Sequence, residues 1–409
     1  MNEVKLLKTY HSPLYVYDRS ILEDRCNQIK AFADILRNAL PGIKISMHYS
    51  SKANSNPHIL SVVEQAGLDV DAMSPAELKF AYRAGFTTDR ILYVCNNISL
   101  EEMEYVVDRG VLMCLDSTSQ VETFGKNFSG RSIMVRINPG TAGVGHSEKV
   151  KTSGKATKFG ISEENLPWLF EVAEKYNIRI IGTHQHLGSL FLNDKIPDYI
   201  DGVKAGLDIV KNHFKDVEIV DLGGGFGVPY KPDEVPLDLP IVAENLIPIL
   251  KEFIVECPSV AEFKFEPGRY IPCESGIILG TVTAVKYENG IYWIGTDIGM
   301  NQLVRPSMYG SYHEIEVVHR HPSIPHPAVT ANFCGNICES GDILGKDRLV
   351  GLPEVGDIVV VRNAGAYGFS MASNYTGRAR PAEVMVDNGS EKVIRNRETF
   401  DDMLHNIVW

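Results

Sequence analysis

The sequence lacks the features that would place the protein in a membrane or on a nucleic acid. It has no run of about 18 apolar residues, so we expect no transmembrane helix. The net charge is −12, and no block of Lys and Arg is present that could neutralise successive phosphates. The segment Met1-Asn-Glu-Val-Lys5 lacks the charged-then-apolar pattern of a signal peptide. We therefore expect a cytoplasmic protein with no membrane and no nucleic-acid partner.

Cysteines are few and irregularly spaced. The seven cysteines, an odd number, are scattered from Cys26 to Cys338, which does not fit a disulfide framework. Cys334 and Cys338 lie four residues apart, but no second pair is near them in sequence, so we expect no structural zinc site. Residues 319–327 contain three histidines and three prolines, which is typical of an extended, exposed loop. The sequence therefore predicts reduced thiols and no metal.

Short apolar runs alternate with longer amphipathic runs between residues 40 and 270. The chain has 409 residues, of which 44% are hydrophobic, enough for one large domain and a second, smaller one. The alternation repeats eight times, which predicts an α/β fold with a closed (β/α)8 barrel of the TIM type. One intervening helix begins at Ser74-Pro75, with Glu77 placed to complete a capping box. The predicted barrel occupies residues 30–275, with strands at 43–48, 68–72, 90–94, 111–116, 132–138, 178–186, 218–222 and 262–266.

The C-terminal third has the pattern of paired strands. Alternating apolar and polar residues flank Asn289-Gly290, and a second alternating segment at 384–393 contains another Asn-Gly turn. The segment Pro13 to Asp18 has the pattern of a strand outside the barrel. We expect residues 1–29 and 276–409 to form an all-β domain, similar to a sandwich or barrel, which this N-terminal strand joins.

Chemically distinctive residues fall at the C-terminal ends of the predicted strands, where TIM barrels carry their active sites. Lys52 follows the first strand in the segment Tyr49-Ser-Ser-Lys-Ala-Asn-Ser-Asn56, and partial desolvation there would make its amine a nucleophile toward carbonyl groups. Taken alone, each such residue has a structural explanation, such as a cap or a core histidine. Together they predict an active site. The others, from the second strand to the eighth, are Asp71, Arg136, His186, Gly223, Gly224, Gly225 and Glu266.

The combination of a lysine, a glycine run and a buried acid describes a site for pyridoxal 5'-phosphate. Lys52 would bind the cofactor covalently, and the backbone amides of the glycine run would hold its phosphate, with Ser189 as a further donor. Glu266 would pair with the pyridine nitrogen and favour its protonated form, which is an electron sink. His186 would stack on the ring. His184 and His186 lie on one face of a strand, so a metal pair or plain core packing stays open for them.

Motifs along nearly the whole chain are similar to those of one enzyme family. Those in the barrel are Tyr49–Asn56, Asp71–Glu77, Arg136–Pro139, Lys158–Gly160, His184–Ser189, Gly223–Gly227 and Glu266–Arg269. Those beyond it are Arg305–Tyr309, Cys338–Asp342, Gly365–Gly368, Ser373–Tyr375 and Ile394–Thr399. With these motifs the chain resembles the diaminopimelate decarboxylases, which belong to the alanine-racemase-like fold group together with ornithine and arginine decarboxylases.

The resemblance implies pyridoxal-phosphate-dependent decarboxylation of meso-2,6-diaminopimelate to L-lysine. This substrate has an amino-acid centre at each end, so the far carboxylate and the far amine must be bound while the near carboxylate is cleaved. Arg269 and Arg305 offer fork donors for the distal carboxylate, and Tyr309 offers a hydroxyl. Glu339 would pair with the distal ammonium. An ornithine or lysine decarboxylase would have little use for Arg305 and Tyr309.

The resemblance also implies a homodimer with two shared active sites. Cys338 would donate the proton that replaces carbon dioxide, and in the family this cysteine and the following glutamate, here Glu339, come from the partner subunit. Tyr367 would contact both cofactor and substrate. Gly268 and Arg269 complete the implied cofactor contacts.

Four positions depart from the family pattern: Ser51, Leu190, Asn336 and Thr376. None of them removes a catalytic group. They leave open a decarboxylase of a related substrate, such as carboxynorspermidine, ornithine, lysine, arginine or an amino acid of a specialised pathway. A racemase on the same barrel would carry arginine in place of Glu266. A noncatalytic pyridoxal-phosphate carrier and a barrel metallohydrolase also stay open.

Overall fold

The structure, a computed structural model, describes residues 2–140, 144–145, 152–154 and 157–408. The chain divides into two compact units. The first comprises residues 23–229 and 235–271. The second combines the residues up to 22 with residues 230–234 and those from 272 onward.

The chain begins with helix α1 (Glu3–Tyr10), strand β1 (Leu14–Asp18) and the long helix α2 (Arg19–Ala39). The sequence placed the first domain boundary after residue 29, whereas the contacts place it after residue 22. The reason lies in α2, whose Phe32 packs edge-on against two rings of the first unit. The ring centroids lie 5.7 Å from that of Phe226 and 5.4 Å from that of Phe265.

The first unit contains the closed parallel barrel that the sequence predicts. Eight strands pair in the order β5-β4-β3-β2-β12-β11-β9-β6, and β5 pairs with β6 to close the ring. All eight predicted strands are present, with bounds that differ by two residues or fewer. The strands of this unit are β2 (Lys44–Ser50), β3 (Asp69–Ala72), β4 (Ile91–Val94), β5 (Leu112–Leu115), β6 (Ser132–Asn138), β7 (Val144–Gly145), β8 (Ile161–Ser162), β9 (Arg179–His184), β10 (Gly188–Ser189), β11 (Ile219–Gly224) and β12 (Glu262–Glu266).

Amphipathic helices follow the barrel strands. They are α3 (Pro57–Gln65), α4 (Pro75–Ala84), α5 (Leu100–Val107), α6 (Thr118–Asn127), α7 (Leu166–Lys175), α8 (Ile196–His213) and α9 (Leu239–Glu256). Ser74 caps α4 by accepting a hydrogen bond from the amide of Glu77. The second half of the predicted capping box is wrong, because the Glu77 carboxylate accepts from the amide of Met73 and from Ser51 Oγ instead. Among the described helices, none is both long and apolar enough to cross a membrane.

The barrel interior is apolar on one side and charged on the other. Leu92, Cys114 and Met134, on consecutive strands, form the apolar side. On the other side, the alternating residues of β12 carry a buried polar cluster. In this interior polar cluster, Lys264 Nζ lies 2.8 Å from Glu262 Oε1 and 3.0 Å from His48 Nε2.

The second unit is built on one mixed sheet. Its strands pair in the order β17-β16-β14-β13-β1-β19-β20, and β18 bonds to β13 and β15. Strand β1 is antiparallel to β13 and parallel to β19, which confirms that the N-terminal strand joins this domain. The remaining elements are β13 (Gly276–Glu288), β14 (Ile291–Thr296), α10 (Arg305–Tyr309), β15 (Ile315–Val318), β16 (Ala328–Cys334), β17 (Ile343–Gly351), β18 (Ile358–Val361), β19 (Ala382–Asp387), β20 (Ser390–Arg395) and α11 (Phe400–Leu404).

Both Asn-Gly pairs close the hairpins that the sequence predicts. Asn289 and Gly290 have φ values of 53° and 80°, and Asn388 and Gly389 have values of 48° and 81°. Two successive positive φ angles are those of a type I′ turn, whose twist matches the flanking strands. The turns therefore join β13 to β14 and β19 to β20.

Candidate active site

Lys52 lies on a single 3₁₀ turn, Ser51–Ala53, directly after strand β2. Its two neighbours in this turn are buried, while Lys52 itself is half-buried. Ser51 Oγ donates to Glu77 Oε2 at 2.8 Å, so the hydroxyl that departs from the family pattern ties the lysine turn to helix α4. The turn thus presents a partly desolvated amine at the carboxyl end of the barrel, as the sequence predicts.

Three buried acids lie at this end of the barrel: Asp71, Asp221 and Glu266. Ser50 Oγ donates to Asp71 Oδ2 at 2.6 Å, and the amide of Gly223 donates to Asp221 Oδ1 at 2.9 Å. Burial, followed by the negative charge of Glu266, raises the pKa of both aspartates well above the ordinary value. Among the three acids, burial therefore favours the neutral form of the two aspartates, whereas the surroundings of Glu266 favour its charged form.

Glu266 is kept ionised by its neighbours. Burial opposes its charged form, but the interaction with His184, including a hydrogen bond, and the positive charge of Lys52 outweigh it and lower the pKa of Glu266 below its usual range. Oε2 accepts from His184 Nε2 at 3.1 Å. Oε1 is buried and has no hydrogen-bond partner among the described residues. A buried carboxylate oxygen without a partner is costly, so it suits a ligand that brings a donor.

His184 is a functional candidate that the sequence analysis left open between metal binding and core packing. It ends β9, where it is aligned with Asp221 on the neighbouring strand. Ligand atoms of His184, Asp221 and Glu266 lie within 4.8 Å of one another, the spacing that a metal site would need. Two sequence signals could have indicated this cluster. His184 alternates with His186, and Asp221 lies just before the glycine run.

His186 lies two residues further along and is nearly buried. Its Nδ1 accepts from the amide of Gly224 at 3.1 Å. Burial, then the positive charges of Lys52 and Arg136, lowers the pKa of His186 well below its ordinary value. The ring is therefore neutral and fixed against the glycine turn.

The glycine run approaches other backbone segments too closely for side chains. A Cβ on Gly223 would lie 2.2 Å from the carbonyl oxygen of Gln185, and one on Gly224 would lie 1.9 Å from that of Glu266. Gly225 has φ of 104°, in the left-handed region. These positions require glycine. The amides of Gly223 and Gly224 are bonded to Asp221 Oδ1 and His186 Nδ1, so of the three only Gly225 stays a candidate donor to an anion.

Arg136 places a buried positive charge at the end of β6. Its guanidinium lies over the ring of Phe159 at 4.4 Å, and its Nη2 atom has no hydrogen-bond partner among the described residues. The pKa of nearby Asp116 is raised to about 6, because burial outweighs the effects of Arg136 and Lys158. The sequence analysis missed Asp116, although it ends a predicted strand.

Two further predicted cofactor-binding residues, Ser189 and Arg269, contact each other in the segments that follow β9 and β12. Arg269, which follows Gly268, is buried, and its Nη2 donates to Ser189 Oγ at 3.1 Å. Leu190, one of the departures from the family pattern, has φ of 68°. This left-handed conformation is uncommon for a leucine, so the loop after Ser189 carries backbone strain.

In the second unit, Arg305 begins helix α10 and is only 1% exposed. Its Nη1 donates to His313 Nε2 at 2.8 Å, and its guanidinium lies 4.7 Å above the ring of Tyr230. Tyr309 ends the same helix and is half-buried. The two predicted substrate residues therefore share one short helix.

Cys338 and Glu339 are exposed on the tight loop after β16. Asp342 organises this loop by accepting from the amides of Ile337 at 2.8 Å and Met300 at 2.6 Å. Tyr375 Oη donates to Glu339 Oε1 at 2.5 Å. The thiol and the carboxylate are thus presented at the surface of the second unit.

Tyr367, also in the second unit, is half-buried and has φ of 55°. A tyrosine in the left-handed region is strained and persists only where its surroundings enforce it. Such strain is frequent at ligand sites.

The barrel residues suit one kind of ligand. The partnerless oxygen of Glu266 can accept a ring N–H, the partnerless nitrogen of Arg136 favours an anion, and Lys52 supplies an amine for a carbonyl group. A planar, phosphorylated ring with an aldehyde has all of these features. The residues therefore fit pyridoxal phosphate.

Comparison with known proteins also indicates a pyridoxal phosphate site. Residues 26–273 match the pyridoxal binding domain of the pyridoxal-dependent decarboxylases, which defines the class of protein and its cofactor. The diaminopimelate decarboxylase of Methanothermobacter thermautotrophicus is 37% identical, over 98% of this chain and 92% of its own. The chain therefore belongs to the diaminopimelate decarboxylase family.

Solved structures of diaminopimelate decarboxylases have the same fold as this chain. A crystal structure of diaminopimelate decarboxylase superposes with a TM-score of 0.88 at 28% identity, covering 98% of this chain and 95% of that one. The Helicobacter pylori enzyme in complex with L-lysine has a TM-score of 0.85 at 28% identity, covering 99% and 98%. Barrel and second domain are thus both those of the family.

Proposed function

We propose that this protein decarboxylates meso-2,6-diaminopimelate to L-lysine with pyridoxal phosphate bound in the barrel. The observation that carries the proposal is Glu266, an ionised, buried carboxylate with one partnerless oxygen at the barrel mouth. A racemase would be expected to carry arginine at this position, and a carboxylate favours a protonated ring nitrogen. A metallohydrolase built on His184, Asp221 and Glu266 would not explain the match to the pyridoxal binding domain.

The bound cofactor supplies an aldehyde that captures the substrate amine and a ring that accepts the electron pair released as carbon dioxide leaves. Lys52 would hold the cofactor covalently through Nζ. Glu266 Oε1 would accept a hydrogen bond from the ring nitrogen and favour its protonated form. Because burial and the charge of Glu266 raise the pKa values of Asp71 and Asp221, Glu266 is the acid of the three that most favours its charged form.

The rest of the barrel site orients the cofactor. The amide of Gly225, with Ser189, Gly268 and Arg269, would bind the phosphate. The amides of Gly223 and Gly224, predicted for the same role, are instead bonded to Asp221 Oδ1 and His186 Nδ1. The neutral ring of His186, fixed by the Gly224 amide, would cover one face of the pyridine. Arg136 would add a positive charge beside the ring. These roles follow from donor type and burial, since each group is placed before the substrate arrives.

Substrate selectivity would come from the distal end of the molecule. Arg305, with Tyr309 and Arg269, would bind the distal carboxylate, and Glu339 the distal ammonium. Arg305 is suited to this role because it is a buried guanidinium, and such a group discriminates strongly between ligands with and without a carboxylate.

We further propose an obligate homodimer in the cytoplasm. Cys338 would protonate the substrate carbon after decarboxylation, and it would reach the partner's barrel together with Glu339 and contacts near Tyr367. The exposure of Cys338 and Glu339 supports this arrangement, since catalytic groups that act in the partner must lie at the surface of their own chain.

The substrate is tested by measuring carbon dioxide and L-lysine from meso-diaminopimelate, lysine, ornithine, arginine and carboxynorspermidine. We expect efficient turnover of the first alone. Turnover of another compound at a similar kcat/KM would replace the proposed substrate. The cofactor link is tested by borohydride reduction, which should remove the visible-edge absorbance and add mass to the peptide containing Lys52.

A further inference from the structure

The side chain of Arg305 contacts two aromatic side chains of the second unit, His313 and Tyr230, which together we call the cage. Its Nη1 donates to His313 Nε2 at 2.8 Å, and its planar group lies over the ring of Tyr230 at 4.7 Å. Tyr230 and His313 contact each other edge-on, with ring centroids 5.1 Å apart. Tyr230 Oη also lies 2.9 Å from Cys273 Sγ. The guanidinium is thus fixed along one edge and one face.

The partners of His313 determine its protonation. Nδ1 lies 2.8 Å from the carbonyl oxygen of Arg362, which can only accept, so Nδ1 carries the proton. Nε2 faces Arg305, whose guanidinium can only donate, so Nε2 offers its lone pair. His313 is fully buried. The two bonds together require a neutral imidazole in the Nδ1–H tautomer.

We infer that His313 is a positioning residue for substrate recognition: it orients Arg305 so that the guanidinium binds the distal carboxylate of the substrate. Tyr230 assists by holding the plane of the guanidinium. The inference rests on the proposed role of Arg305 and adds residues that do not touch the substrate themselves. A guanidinium binds a carboxylate through two parallel bonds only when its plane is correctly set, so loss of the cage weakens carboxylate binding selectively.

The test compares two inhibitors of the holoenzyme that differ in one carboxylate. L-Lysine has a carboxylate at its amino-acid centre, and cadaverine, 1,5-diaminopentane, has none. In His313→Leu we expect the inhibition constant of L-lysine to rise about tenfold, the effect of one lost bond to a charged group. The constant of cadaverine should stay the same. In His313→Gln, the amide oxygen can accept from Arg305 and the amide nitrogen can donate to the carbonyl oxygen of Arg362. This variant should therefore keep most of the affinity for L-lysine.

Tyr230→Leu provides a second variant if His313→Leu does not fold, and it should also weaken L-lysine more than cadaverine. Equal inhibition constants in wild type and in both variants would overturn the inference, as would equal losses for the two inhibitors. Arg305→Ala separates the two levels of the argument. If Arg305→Ala loses affinity for L-lysine and the cage variants do not, only the positioning role fails. If Arg305→Ala itself binds L-lysine normally, the proposed role of Arg305 fails.

Discussion

His184 Nε2 lies 3.1 Å from Glu266 Oε2, and both side chains are 1% exposed. Burial lowers the pKa of His184, whereas the charge of Glu266 raises it. The pair leaves the second oxygen of Glu266 available for a ring N–H. In the proposed function, this contact would link the barrel framework to the protonation of the ring nitrogen of the cofactor.

Glu266→Gln should lower kcat by about 100-fold or more, comparable to the loss of one preorganised electrostatic contact. A neutral amide no longer favours a proton on the ring nitrogen. Glu262→Gln is the matched control, since it makes the same change four residues earlier on the same strand. We expect the control to lower the free energy of unfolding, because Glu262 bonds to Lys264, and to keep kcat near wild type. Steady-state kinetics on both holoenzymes measures this, and equal kcat values would contradict the role of Glu266.

Arg305→Ala should reduce kcat/KM for meso-diaminopimelate by the equivalent of about 2 to 5 kcal/mol, the cost of losing a buried charged contact. Arg362→Ala serves as the control, because it removes an exposed ion pair with Glu316 and leaves the backbone carbonyl in place. The control should alter kcat/KM little, since exposed pairs contribute at most about 1 kcal/mol. Similar kcat/KM values for the two variants would remove Arg305 from the substrate site.

Cys338→Ala should bind cofactor normally but lose formation of L-lysine, because the carbon that loses carbon dioxide then lacks its proton donor. Cys334→Ala, four residues earlier on strand β16 and partly buried, is the matched control and should keep normal turnover. Product analysis together with the absorbance of the bound cofactor provides the measurement. Normal turnover by Cys338→Ala would refute the proton-donor role.

Mixing inactive variants tests whether sites are shared between subunits. A dimer of one Lys52→Ala chain and one Cys338→Ala chain would contain one intact site, if Lys52 and Cys338 come from different subunits. Random reassortment should then restore about a quarter of wild-type activity. Absence of any recovery, with heterodimers demonstrated by mass spectrometry, would show that both residues act within one chain.

Because of the interior polar cluster, the free energy of unfolding should fall as the pH becomes acidic. Burial, and then the charge of Lys264, lowers the pKa of His48 from its ordinary value of 6.5 to about 3. Above pH 6.5 the histidine is neutral in folded and unfolded chains, so its contribution is constant. Between pH 6.5 and 3 only the unfolded chain binds the proton, so stability should fall by up to about 1.4 kcal/mol per pH unit. Denaturant unfolding of wild type and His48→Gln should show a smaller acid slope in the variant, and identical slopes would exclude His48 as the source.

Much of the barrel could be predicted from local pattern. Each strand is a short apolar run bounded by turn residues, and a buried parallel strand needs little more than this to be recognised. Lys52 and Glu266 were identifiable because functional groups of such barrels occupy strand ends. The Asn-Gly turns were equally clear, since few other pairs adopt two positive φ angles.

Other parts of the site depended on contacts between distant segments. The capping role predicted for Glu77 failed because Ser51, 26 residues away, competes for the same carboxylate. His184 could not be assigned from sequence, because its partner Glu266 is 82 residues away. The raised pKa values of Asp71 and Asp221 likewise follow from their burial near Glu266.

The sequence by itself determined the βα alternation, the position of Lys52 at a strand end and the donor types that suit a pyridoxal phosphate site. These follow from periodicity and side-chain chemistry, which are local properties. Only the tertiary structure decided that the pKa of Glu266 is lowered while those of Asp71 and Asp221 are raised, and that Glu266 faces His184. It also placed His313 against Arg305. Ionisation and hydrogen bonding depend on burial and on distances of a few ångströms between strands, and closure of the barrel and sheet sets those distances.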